Sequence, residues 1–171
     1  SGVPGMTENP DFHGLYERRH SGNEEVNYLA SYRFMIKIGN EYGKGKTYTS
    51  VSKADIPGLT DTSYSRIRSM MANLQKKSFF NANKKAFVFG VAMHTSTDTF
   101  AHSTYRYYNG TWYSITHAIN EKKGQYKKNE ADNSKFVPER FDMAYRAERN
   151  TLYRYQGKRS DVAVCHDFHA A

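Results

Sequence analysis

The chain is poor in several things that would simplify its reading. It holds a single cysteine, Cys165, among 171 residues, so no disulfide forms within it. Its longest apolar run, from Ala86 to Met93, is eight residues, well short of the ~20 that a membrane-spanning helix needs. No charged start followed by an apolar stretch opens it, as a signal peptide would. Repeats and low-complexity linkers are missing, and few segments alternate apolar and polar residues with the period of two that half-buried strands require. No RNA-recognition, zinc-finger or helix-turn-helix signature is present. Mean hydropathy is low, at −0.83.

What the chain does have is aromatics and positive charge. Fourteen Tyr, ten Phe and one Trp are too many for a disordered chain. The length suits one domain with a sizeable core. We expect residues 1–10 to be a cloning scar, a processed end or a loose start, residues 11–160 to form one helical domain, and residues 161–171 to be a short His-rich tail. Lys and Arg number 25 against 17 Asp and Glu, a net charge of +8. The excess is concentrated between Glu121 and Ser160, where eleven basic residues face six acidic ones. Such a surface attracts polyanions: nucleic acid, anionic lipid head groups or phosphorylated substrates. The plainer alternative is a solvated basic face with no specific partner.

The pattern is mainly helical. Val26, Leu29, Ala30, Phe34 and Ile36 make a helical stripe that starts at Asn23-Glu24-Glu25 and is expected to stop near Gly39. Pro57-Gly58 signals a turn. Thr60, Asp61 or Thr62 caps a helix whose buried face is Ile67, Met70, Met71 and Leu74. Asn81-Ala82-Asn83 caps the next, predicted to run to about Tyr107. After a turn at Asn109-Gly110, a further helix is expected from near Tyr113 to Lys123. Pro138 suits the first turn of a last helix that ends at Gly157.

The chemistry concentrates in His94-Thr95-Ser96-Thr97-Asp98-Thr99-Phe100-Ala101-His102. His94, Asp98 and His102 stand four residues apart and fall along one helix face, about 6 Å between neighbours and about 12 Å between ends. One ion with ~2 Å bonds joins His94 to Asp98 but cannot hold His94 and His102 together. If all three are ligands, at least two ions are needed, with Asp98 placed to bridge. The preceding apolar run predicts a buried helix, in which such groups need partners. The alternative is three polar residues satisfied by protein groups. A second pair, His117 and Glu121, repeats the spacing of four. Folded back across the turn, it would give His102, His117 and Glu121 as a two-His, one-carboxylate set. The tail adds Cys165, His166 and His169 as reserve ligands, unless it is simply a chain end with no metal role.

The run Ile56-Pro57, then Ser65-Arg66-Ile67-Arg68, then Ala86 to His94 with Asp98, resembles the central region of zinc-dependent phospholipases C. That family includes clostridial alpha-toxin-like enzymes, and fungal single-strand nucleases share its fold. The resemblance spans roughly residues 55 to 128. It implies an all-α bundle of this type, possibly reduced, holding two or three zinc ions. By motif, His94 and the bridging, catalytic Asp98 fall in the dinuclear pair, and His102, His117 and Glu121 in the third site. His13 is the candidate for the family's upstream His, with Asp61 or Asp55 for its upstream Asp; His166 and His169 are weaker metal candidates. The implied activity is phosphodiester hydrolysis by a metal-activated water. The substrate would be a phospholipid head group or a nucleic acid, with peripheral membrane contact and secretion as further implications. The alternatives are a zinc-dependent nuclease of the same fold, a non-catalytic zinc-stabilised binding module, and a basic, aromatic-rich nucleic-acid binder without metal.

Overall fold

A computed structural model describes Val3, Met6 and residues 9–13, 28–101, 105–108, 111–114 and 138–158. Among them the protein is all-α apart from one small ribbon. The helices are α1 (Pro10–His13), α2 (Tyr28–Gly43), α3 (Asp61–Leu74), α4 (Ser78–Ala82), α5 (Lys84–Ala101) and α6 (Pro138–Tyr155). Strands β1 (Tyr105–Tyr108) and β2 (Thr111–Ser114) pair antiparallel, with Tyr105 opposite Ser114 and Tyr108 opposite Thr111. None of the described helices is long and apolar enough to cross a membrane.

Helix ends follow local chemistry. The Thr60 hydroxyl accepts from the Ser63 amide at 3.0 Å and so caps α3. The side-chain oxygen of Asn83 accepts from the Ala86 amide at the start of α5. Pro138 opens α6, where its missing N–H costs nothing. Two helices close the same way. After α2, Gly45 takes φ 76°, and the amides of Gly45 and Lys46 donate to the carbonyls of Tyr42 and Glu41. After α6, Gly157 takes φ 70°, and Gly157 and Lys158 donate to Arg154 and Tyr153. These are Schellman closures, with glycine at the left-handed position.

Three sequence expectations differ from the structure. Gly39 does not end α2, which runs on to Gly43. It is a contact point instead: a Cβ built on Gly39 would lie 2.7 Å from the ring of Phe89 on α5. The hydrogen at this position lets the two helices approach. Further along, the described part of α5 ends at Ala101 and residues 105–108 are strand, so the helix does not reach Tyr107, and residues 111–114 are strand rather than the start of a helix. The aromatic and β-branched residues on either side of Asn109-Gly110 carry the hairpin pattern, and pairing prevails over helical spacing there. Residues 109–110, and the rest of the helix expected up to Lys123, lie outside the described residues, as do the expected start of α2 and the tail 161–171.

The core joins α2, α3, α4 and α5, with Phe34, Met35, Ile38, Ile67, Met70, Met71, Leu74, Phe80, Val88 and Ala92 all buried. The four residues expected to form the inner face of α3 do so. Helix α6 docks through Ala147, Asn150 and Thr151, which are buried, with the Thr151 hydroxyl meeting the Tyr32 hydroxyl at 3.0 Å, and through Tyr155, whose ring meets that of Phe89 edge-on at 5.3 Å.

Candidate functional site

Helix α5 divides lengthwise. Val88, Phe89, Val91, Ala92, Thr95 and Ser96 face inward, whereas Gly90 and His94 are exposed. The apolar run is therefore buried on one side and open on the other, and His94 and Asp98 stand towards the open side. His94 Nε2 lies 3.1 Å from Asp98 Oδ2, with the side chains 43 % and 16 % exposed. The spacing of four residues thus brings imidazole and carboxylate together one helical turn apart.

The imidazole is also held from the side. The ring of Phe12 stacks on it, with centroids 4.4 Å apart and planes inclined by 15°. Phe12 belongs to α1, and α1 is fastened by polar groups in the core. The Asp11 carboxylate is wholly buried; one oxygen accepts from Ser31 Oγ of α2 and the other from Arg66 Nε of α3, both at 2.7 Å. The Asp11 amide donates to the Asn9 side chain at 3.0 Å. Thr95 of α5 completes the attachment. Its hydroxyl, one residue after His94, points at the carbonyls of Phe12 (2.8 Å), Asp11 (3.0 Å) and Val91 (3.2 Å) and shares its proton among them. One turn of α5 therefore both presents His94 and anchors the element that stacks on it.

The neighbouring hydroxyls turn back on the helix. Ser96 donates to Met93, Thr97 to Met93 and His94, and Thr99 to Thr95, each at a backbone carbonyl. Short polar side chains that bond to their own helix keep to its surface groove.

A fit to zinc can be tested on the His–Asp pair. Two donors ~2.0–2.1 Å from a tetrahedral ion stand ~3.3–3.4 Å apart along the tetrahedron's edge. The observed 3.1 Å is close to that edge as well as to a hydrogen bond. The pair therefore supplies two donors in compatible geometry. Among the described residues no group of three His, Cys, Asp or Glu comes together, so further ligands would have to come from elsewhere in the chain.

The other candidates fall as follows. His13 is in α1, next to Phe12 in sequence; its side chain lies outside the described residues, as do His102, His117, Glu121, His166 and His169. Asp61 is in the first turn of α3 with its side chain 91 % exposed, and it pairs with Lys53 at 2.7 Å. Asp55 accepts from the amide and hydroxyl of Ser52, which hold its carboxyl below the usual range. The reading of the sequence missed Asp11, Phe12, Arg66 and Thr95 as positioning groups. Asp11 and Phe12 adjoin His13, but nothing local marks a carboxylate for burial. No family model, curated protein or solved structure matches the chain.

Proposed function

We propose that this protein is a metal-dependent phosphodiester hydrolase resembling the zinc-dependent phospholipases C, with its site on the open side of α5. The observation that carries the reading is the close approach of His94 Nε2 and Asp98 Oδ2, with the imidazole braced by Phe12. In this reading His94 and Asp98 hold zinc. His102, one turn further in the same sequence register, joins them with His117 and Glu121, and His13 enters from the segment that α1 begins. Two or three ions fit the number of ligands. Bound zinc supplies Lewis acidity, which lowers the pKa of a water towards ~7 and offsets charge on a phosphoryl oxygen.

The chain's own residues have three tasks. Phe12 and Thr95 fix the orientation of His94, so that little is left to reorganise when an ion or substrate arrives. Asp98 would be the metal-holding carboxylate of the reacting centre, and a nearby carboxylate would take the proton of the attacking water. The basic surface raises the local concentration of an anionic substrate and does so most strongly at low salt. A phospholipid head group and a nucleic acid strand present the same phosphodiester to this arrangement.

The test combines metal content with turnover. Elemental analysis of purified protein is expected to find zinc, and chelation to abolish hydrolysis of bis(p-nitrophenyl) phosphate, with zinc restoring it. His94→Ala and Asp98→Ala are each expected to lose both metal and turnover. Turnover that survives complete metal removal overturns the hydrolase reading. Zinc bound without turnover on lipid or nucleic acid favours a closed, structural metal site.

A further inference from the structure

Helix α6 packs inward through Ala147, Asn150, Thr151 and Tyr155, whereas Phe141, Tyr145 and Leu152 point outward, 59 %, 53 % and 45 % exposed. Of the five large hydrophobic residues exposed among the described residues, four lie on this helix, the fourth being Met143. At 3.6 residues per turn, Phe141, Leu152 and Tyr145 fall within an arc of about 40° and form one continuous stripe. Two charges of each sign accompany it. Asp142 and Arg149, both exposed, share one shoulder of the stripe, about 20° apart around the helix. Glu148 is half-buried at the other edge, and Arg146 lies farther round, where its Nε donates to Asp142 at 2.7 Å. Arg146 and Arg149 against Asp142 and Glu148 leave this face with no net charge, on a chain that carries +8.

We propose that α6 pairs with the α6 of a second copy of this chain, antiparallel about a two-fold axis. Two observations select this occupant. The first is charge. Two chains of +8 repel each other, and a face without net charge is where they can approach; the same neutrality gives no pull towards a polyanion or an anionic leaflet. The second is self-complementarity. In such a pair two positions face each other when they stand equally far from the axis on opposite sides, and every contact forms twice. Phe141 and Leu152 are centred between residues 146 and 147, and Asp142 and Arg149 between residues 145 and 146. The two centres differ by one residue, ~1.5 Å of helix rise, and Tyr145 stands beside both. One axis near residue 146 therefore sets Phe141 against the second copy's Leu152, Asp142 against its Arg149, and the two Tyr145 rings against each other. Glu148 then falls opposite the second copy's Ala144, clear of the charged shoulder. Area sets the strength. The stripe offers on the order of 300 Å² per copy, and even with its charged shoulder it stays under the roughly 800 Å² per partner of a stable complex, in the class of weak, reversible pairs. A protein without turnover would pair in the same way, so this dimer stands or falls separately from the hydrolase reading.

Sedimentation velocity of the full chain over a dilution series tests it. Wild type is expected to be partly dimeric at ~100 µM chain and to dissociate on dilution. Phe141→Ser with Leu152→Ser is expected to weaken the dimer by roughly a hundredfold or more, because the symmetry removes each apolar anchor twice. Both positions are exposed, so the far-ultraviolet circular dichroism of this variant should match wild type. Asp142→Arg and Arg149→Asp are each expected to weaken the dimer by roughly tenfold through two like-charge contacts. Combining the two reversals should restore it, which a non-specific apolar contact would not show. Four results overturn the proposal: wild type that stays monomeric across the series, a double serine variant that dimerises like wild type, a charge reversal that is silent or that the combined variant does not rescue, or a monomer that binds phosphatidylserine vesicles through Phe141 and Leu152.

Discussion

Gly39 and Gly90 offer the same substitution in two opposite environments. Both lie inside long helices, α2 and α5, and replacing either by Ala gains about 1 kcal/mol of helix propensity. At Gly90 a new Cβ meets nothing within 4 Å, so the gain is realised. At Gly39 it would lie 2.7 Å from two carbons of the Phe89 ring, whereas carbons in contact prefer ~3.5–4.0 Å. About 1 Å must be found by moving a buried aromatic ring or by parting α2 from α5. Overpacking of this kind costs ~1–3 kcal/mol. Propensity cancels in the comparison, so Gly39→Ala should be less stable than Gly90→Ala by ~1–3 kcal/mol. For a chain of this size that separates the two melting temperatures by ~2–12 °C. Thermal and urea unfolding of the two variants beside wild type measure it. Equal shifts of the same sign would refute the argument, because they would mean that α2 and α5 do not meet at this glycine.

Removing the buried carboxylate should be more damaging. Asp11→Ala leaves Arg66 and Ser31 without their acceptor and should cost about 3 kcal/mol, the lower end for a broken buried pair because Arg66 remains partly exposed; urea midpoints that match wild type would contradict this. Thr95→Val should cost ~1–3 kcal/mol by uncovering the buried carbonyls of α1, and should loosen Phe12 from His94, which imidazole chemical shifts would register. Lys44 donates to Glu41, and with Lys46 beside it holds that carboxyl below its ordinary range. A carboxylate depressed in the fold contributes stability that is present above its unfolded pKa and is lost as pH falls through the folded value. Acid unfolding should therefore lose part of its slope below pH ~4.5 in Glu41→Gln. Tyr42 runs the other way: burial pushes its hydroxyl up to about 12, so stability should fall between pH ~10 and ~12, and Tyr42→Phe should remove that fall.

The sequence disclosed what depends on short-range chemistry. The inner face of α3, the Thr60 and Asn83 caps, the turn at Gly58, the proline that opens α6 and the glycine that closes it could all be read from neighbouring residues. The approach of His94 to Asp98 was legible for the same reason, since a spacing of four on a helix is a local fact. What was hidden needed the third dimension. A glycine in an apolar helix looks like a stop or like a contact, and only the ring of Phe89 decides between them at Gly39. Aromatics near Asn109-Gly110 satisfy both helical and strand patterns, and pairing with a partner strand settles the matter. The outward stripe of α6 could not be foreseen from residues that would equally suit a core.

The smallest helix carries an outsized share of the architecture. Four residues place an enclosed negative group where α2, α3 and α5 converge. The amino-terminal strip thus works as a keystone rather than as trim. A protease nick or an expression boundary placed after residue 13 would leave a guanidinium facing an empty slot and an imidazole without its neighbouring ring. The first thirteen residues therefore belong in any fragment made to study the bundle.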